Sequence, residues 1–154
     1  MVAVCVKYAD KPAVVWTPVT GAASVDTSTA RCAQGQHLAG CSCSSDDGGC
    51  DNGAYATNER TCKARAHGGG SVSARAVCVQ ELPGWSLEIG PKSQTKSKAK
   101  CRGKLALVGC SCRSSMARAG SCESVGGSGS QCLAFAKSGG SRNVQAYAIC
   151  ALGA

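Results

Sequence analysis

The sequence predicts an all-β, disulfide-rich chain built from tandem modules, and three observations carry that reading. Cysteine occurs 13 times in 154 residues, while aromatics make up only 4 %. Six of the cysteines recur as a second set of six at nearly constant spacing. Each set closes on a segment whose side chains alternate with period two, as in a strand with one buried face.

Composition narrows the class further. The apolar fraction is 44 %, but much of it is alanine, valine and cysteine; there are 20 Gly and only 2 Met. Large core-forming side chains are too scarce for a helical bundle or a large α/β enzyme. Cysteine above 8 % is the range in which crosslinks replace a core that is too small. A chain of 154 residues holds one ordinary domain or two small ones. So many thiols imply an oxidising compartment, and the expected location is secreted or extracellular. No stretch approaches the roughly 20 apolar residues of a membrane span. The opening MVAVCVKYADK is too short and polar for a secretory signal, so any such signal is expected to have been removed.

The repeat accounts for the cysteines. Cys32, Cys41, Cys43, Cys50, Cys62 and Cys78 recur as Cys101, Cys110, Cys112, Cys122, Cys132 and Cys150, at offsets of 69, 69, 69, 72, 70 and 72. Leu38, Gly40 and Ser42 travel with them as Leu107, Gly109 and Ser111. The thirteenth, Cys5, lies in Val-Ala-Val-Cys-Val, which matches the segment around Cys78; it reads as the last cysteine of a preceding repeat, and as a free or intermolecular thiol. The expected organisation is 1–30 as that closing strand plus inter-repeat strands, 31–80 as the first module, 81–99 as an inter-repeat segment and 100–154 as the second module.

Within each module, Val72, Ala74 and Ala76 alternate with Ser73, Arg75 and Val77, and Val144, Ala146 and Ala148 with Gln145, Tyr147 and Ile149. Glycine precedes both runs, at Gly68 to Gly70 and at Gly139 and Gly140, which predicts antiparallel hairpins over 62–78 and 132–150. Ala13 to Val19 and Trp85 to Ile89 are short apolar runs expected to form further strands. No segment has a helical period.

The spacing Cys, Leu-x-Gly-Cys, Gly-Ala-Tyr-Ala, Cys, then alternating Ala up to a final Cys is carried by Cys32, Leu38, Gly40, Cys41, Gly53 to Ala56, Cys62, Ala74, Ala76 and Cys78. It resembles the modules of the cysteine-rich C-terminal domain of the secreted proprotein convertase that controls LDL-receptor turnover. More distantly, it is similar to the C-terminal β domain of apicomplexan perforin-like proteins. The second repeat keeps the cysteines, Leu107 and Gly109 but lacks the Gly-Ala-Tyr-Ala segment. The resemblance implies small antiparallel β-sandwich modules, in a pseudo-threefold arrangement when three are present, and a non-catalytic role. It also implies the pairs Cys32–Cys78, Cys41–Cys62, Cys101–Cys150 and Cys110–Cys132, which leaves Cys43 with Cys50 and Cys112 with Cys122. Spacing alone leaves 15 pairings open for six cysteines.

Catalytic chemistry is poorly provided for. The only imidazole bases are His37 and His67, and the aligned positions in the second repeat are Ala106 and Lys137, so neither belongs to a repeated site. Cys41-x-Cys43 and Cys110-x-Cys112, with a later cysteine and His37, form an alternative set of zinc ligands, but the usual Cys-x-x-Cys knuckle is absent. Asp46, Asp47, Asp51 and Asn52 make an oxygen-rich loop, whereas the aligned loop at 113–121 carries two arginines and no carboxylate, which excludes a calcium site common to both repeats. The chain is therefore expected to be no enzyme and to need no cofactor or metal.

Charge is more informative. Of the net +8, +7 lies in residues 77–154, centred on Lys92, Lys96, Lys98, Lys100, Arg102 and Lys104. If extended, Lys96, Lys98, Lys100 and Arg102 share one face. Such a row attracts sulfated polysaccharide, anionic lipid headgroups or an acidic protein surface, and it equally serves to keep an exposed edge strand soluble. Few aromatics argue against nucleic acid. Trp16 and Trp85 occupy corresponding positions, as core plugs or as an exposed pair able to enter a lipid headgroup layer. The expected function is an extracellular protein-interaction module, with polyanion or membrane-surface binding and a self-associating matrix role as alternatives.

Overall fold

Strands rich in alanine and cysteine can bury a face only if the opposing sheet comes close, and the arrangement of this chain follows from that constraint. The structure is a computed structural model, and it describes residues 15–46, 49–66, 70–114, 122–126, 129–136 and 143–152. The first six strands are β1 (Trp16–Thr20), β2 (Thr27–Arg31), β3 (His37–Ser44), β4 (Gly53–Asn58), β5 (Thr61–Arg65) and β6 (Ser73–Val79). The next six are β7 (Ser86–Ile89), β8 (Lys96–Lys100), β9 (Leu105–Ser114), β10 (Cys122–Gly126), β11 (Gln131–Ala136) and β12 (Val144–Leu152). Among the described residues the only helical element is a 3-10 turn at Gly49–Asn52.

All pairings between strands are antiparallel. In the first module a β1-β6-β3 sheet faces β2-β5-β4, and in the second a β8-β11-β10 sheet faces β7-β12-β9. The two modules thus have the same order, with each strand replaced by the one six places later. They are joined edge to edge: β4 pairs with β9, so that β2-β5-β4-β9-β12-β7 is one continuous sheet.

The buried set is correspondingly small-featured. Its largest fully buried side chains are Leu38, Ile149, Val72, Val79 and Val144, and the rest of the interior is mainly alanine and cysteine, including Ala64, Ala74, Ala134, Ala146 and Ala148 at 0 % exposure. Disulfides tie the facing sheets together. Cys41 of β3 bonds Cys62 of β5, Cys110 of β9 bonds Cys132 of β11, Cys32 bonds Cys78 and Cys101 bonds Cys150. Cys43 bonds Cys50, pinning the loop that carries Asp46. The first four are the pairs that the resemblance implies, and Cys43 with Cys50 is one of the two pairs it leaves over. Cys112 is also disulfide-bonded, while the side chain of Cys122 and all of Cys5 lie outside the described residues. Sequence separations of 46, 21, 7, 49 and 22 residues correspond to about 2.4 to 4 kcal/mol per bridge on the chain-entropy account.

A second inter-sheet device is a buried serine at matching positions. Ser28 Oγ donates to Ala22 O at 2.7 Å and accepts from Ala74 N–H at 2.9 Å; Ser97 Oγ donates to Pro91 O at 2.6 Å and accepts from Ala146 N–H at 3.0 Å. Each hydroxyl satisfies a backbone donor of the facing sheet that the ladder leaves unpaired.

Two expectations are corrected. The predicted hairpins are not formed: β5 and β6 belong to opposite sheets, as do β11 and β12. Both members of each pair carry small or cysteine residues on one face, and these faces meet across the core instead of the strands meeting at an edge. The strands expected at 13–19 and 85–89 are formed, but within the modules and not between them, since β1 and β2 complete the two sheets of the first module and β7 and β8 those of the second. The described residues form two modules, so the threefold arrangement is not reached within them.

The joint between modules rests on close approach. Ala39 and Val108, 69 positions apart, are the bulged residues of β3 and β9, skipped by the register between Leu38 and Gly40 and between Leu107 and Gly109. Val108, Ile149 and Ala151 of the second module pack into the core of the first. A β-carbon on Gly109 would collide with the carbonyl oxygen of Ala39 and lie 3.3 Å from Ile149 Cδ1. The Gly-Ala-Tyr-Ala segment, found in the first repeat only, is β4 itself: Gly53 and Ala54 pair with Arg113 and Cys112, and the Tyr55 ring lies 5.4 Å from that of Tyr147. Arg113 sits 4.7 Å over the Tyr55 ring.

Burial pushes the Tyr147 phenol above its ordinary 10.0, an effect partly offset by the Arg113 guanidinium. The folded chain therefore holds this proton more tightly than the unfolded chain. Stability from this group is fully present below pH 10 and is lost as pH rises through the folded value. Urea midpoints measured on either side of pH 10 are expected to fall on the alkaline side, and Tyr147→Phe is expected to flatten that dependence.

Candidate polyanion-binding face

The β8 sequence Lys-Ser-Lys-Ala-Lys places a cation at every second position. Ser97 and Ala99 are buried against β12, so Lys96, Lys98 and Lys100 necessarily point outward, and all three are exposed. β8 is the edge of its sheet, so one flank of this row faces solvent. On the other flank is β11, whose Phe135, Leu133 and Gln131 stand opposite Lys96, Lys98 and Lys100. The Lys96 ammonium lies 5.4 Å over the Phe135 ring. Three cations spaced along about 13 Å of strand, beside a half-buried Leu133 and Phe135, form a flat basic face with an apolar strip. Neither β8 nor β11 contains an acidic residue.

The six expected cations do not all join this face. The strand ends at Lys100, and the Arg102 guanidinium turns to Glu88 of β7, with Nε 3.0 Å from Oε2. Its side chain is 84 % exposed, so the pair adds little stability, but it neutralises the charge locally. Lys104 lies in the turn before β9. Lys92 lies beyond the other end of β8, beside a small cleft that it lines with Arg113, Asn143 and Gln145. The cation row is therefore three lysines long. Nothing in the sequence marks the Glu88 contact, because Glu88 on β7 and Arg102 beyond β8 meet only in the folded module.

The remaining candidates are dispersed. Cys41 and Cys43, two of the alternative zinc ligands, are bonded to Cys62 and Cys50. His37 begins β3 with its Nδ1 buried and unpartnered, and His67 lies outside the described residues. Of the oxygen-rich loop, Asp47 and the Asp51 side chain lie outside the described residues, while Asn52 is turned inward, its Nδ2 donating to Ala66 O at 3.4 Å. The two tryptophans have different environments: Trp16 is 47 % exposed on β1, whereas Trp85 is half-buried against the first core and donates from Nε1 to Leu38 O at 2.9 Å.

This fold and face define a disulfide-bridged protein of paired antiparallel β-sandwiches with a basic outer strand. The sequence matches no family model and no curated protein.

Proposed function

We propose that the chain is a non-enzymatic interaction module of a secreted or cell-surface protein, and that it docks an acidic extracellular partner on the Lys96, Lys98 and Lys100 face. The observation that carries this reading is the contrast between β8 and β2. Both are edge strands with the same exposed-buried alternation, yet β2 presents Thr27, Thr29 and Arg31 where β8 presents three lysines. In the first module the other two cations of the equivalent face, Lys63 and Arg65, stand one strand in, on β5 opposite Thr29 and Thr27, whereas β8 concentrates three on the edge strand itself. The bridges suit an oxidising environment, and the resemblance to convertase C-terminal modules is consistent with an accessory role beside a larger protein.

Sulfated polysaccharide is the probe of choice. Wild-type protein is expected to be retained on heparin and to elute with rising salt, and Lys96→Gln/Lys98→Gln/Lys100→Gln is expected to elute at markedly lower salt. Equal retention of the two would remove this reading. Leu133 and Phe135 beside the lysines favour one second reading, an anionic lipid surface. In that case the same triple variant loses about 100-fold in affinity for phosphatidylserine vesicles, at about 1 kcal/mol per lysine, and Phe135→Ser weakens vesicle binding but not heparin binding.

A further inference from the structure

A cleft of about 460 Å³ is lined by Arg31, Asn58, Glu59, Arg60 and Thr61 of the first module and by Trp85, just before β7, and shares no residue with the lysine face. Its size is in the range of small-molecule sites. Its walls are fixed by one buried residue, Leu38, whose N–H donates to Glu59 O at 2.6 Å and whose carbonyl accepts from Trp85 Nε1 at 2.9 Å. The turn that carries Glu59 is held further by Cys32 N–H donating to Arg60 O at 2.8 Å and by Arg60 N–H donating to Asn58 Oδ1 at 3.0 Å. The cleft is thus preorganised, which lowers the ordering cost of binding.

Its charges are not consumed by the fold. The one ion pair among the described residues joins Arg102 to Glu88, so Arg31, Arg60 and Glu59 have no ionic partner there. Nor does the turn require an arginine. In the second module the equivalent backbone bond runs from Cys101 N–H to Ser130 O at 2.8 Å, with serine where the first module has Arg60.

We infer that this cleft binds a carboxylated pyranose, the ring of a uronic or sialic acid at the end of a glycan. The indole of Trp85 supplies an apolar platform for the C–H face of the ring. Arg31 and Arg60 are forked donors for its carboxylate. Asn58 and Glu59 serve its hydroxyls, with Glu59 accepting. The same carboxylate disfavours phosphate esters or densely sulfated chains, because it adds a negative charge beside the two arginines.

The test is titration of the whole chain with sodium glucuronate, N-acetylneuraminate and glucose, followed by the indole N–H resonance of Trp85 and the side-chain resonances of Arg31 and Arg60. One or both acids are expected to give saturable shifts, and the stronger of them identifies the source. Glucose is expected to bind at least about tenfold more weakly, as is the stronger acid to Arg60→Ser, which installs the residue of the second module, or to Arg31→Ser. The triple lysine variant is expected to bind the acid unchanged, which separates this site from the β8 face. Equal affinity for glucose and both acids, undiminished affinity in Arg60→Ser, or no saturable shift at Trp85 overturns the inference.

Discussion

Replacing Cys101 and Cys150 together by alanine is expected to lower unfolding free energy by about 4 kcal/mol, from the 49-residue separation that the bridge closes. Replacing Cys43 and Cys50 is expected to cost about 2.4 kcal/mol, since that bridge closes only seven residues. Urea denaturation of both variants against wild type measures the difference. The ordering follows from position as well as loop length. Cys101 and Cys150 are almost fully buried between facing sheets, whereas Cys43 and Cys50 are partly exposed. An interior whose largest fully buried side chains are one leucine, one isoleucine and three valines has little apolar area to compensate for a lost crosslink.

Gly109→Ala is expected to destabilise the chain by about 1 to 3 kcal/mol, and Gly40→Ala by much less. The two glycines occupy the same place in the repeated motif, but their surroundings differ. At Gly109 a β-carbon would strike the Ala39 carbonyl, a backbone atom of the other module that cannot swing aside. At Gly40 it would meet the Val77 side chain at 3.3 Å, a tight contact that a small shift relieves. Thermal unfolding of the two variants, with the Tyr55 and Tyr147 ring resonances as reporters of the joint, distinguishes a local clash from separation of the modules. Loss of the ring contact only in Gly109→Ala is the expected result.

The sequence made some of this visible and hid the rest for physical reasons. The cysteine offsets disclosed two modules, and the alternation at Ala74 and Ala76 disclosed which face is buried, because both are properties of single strands. The partners of β5 and β6 were not legible, since alternation states that a strand has a buried face without saying whether its neighbour lies beside it or across from it. The joint left only an indirect trace. Gly-Ala-Tyr-Ala is missing from the second repeat, and that segment is the strand through which the first module meets the second. β9 shows the consequence, being buried at Leu107 to Gly109 without alternation because it is covered on both sides. For the basic face, period two placed Lys96, Lys98 and Lys100 together, while Arg102 was lost to Glu88 through tertiary pairing. Ser28 and Ser97, which bridge the sheets, share the 69-residue offset and could have been found from it; a serine carries no other mark of burial.

The central claim is that covalent links between facing sheets, not large apolar side chains, hold these modules together. Peptide mapping of the unreduced protein by mass spectrometry tests it most directly. The peptide containing Cys41 is expected to be crosslinked to that containing Cys62, and the peptide containing Cys110 to that containing Cys132. Recovery of these four cysteines as free thiols, or bonded to partners in their own sheet, would contradict the account.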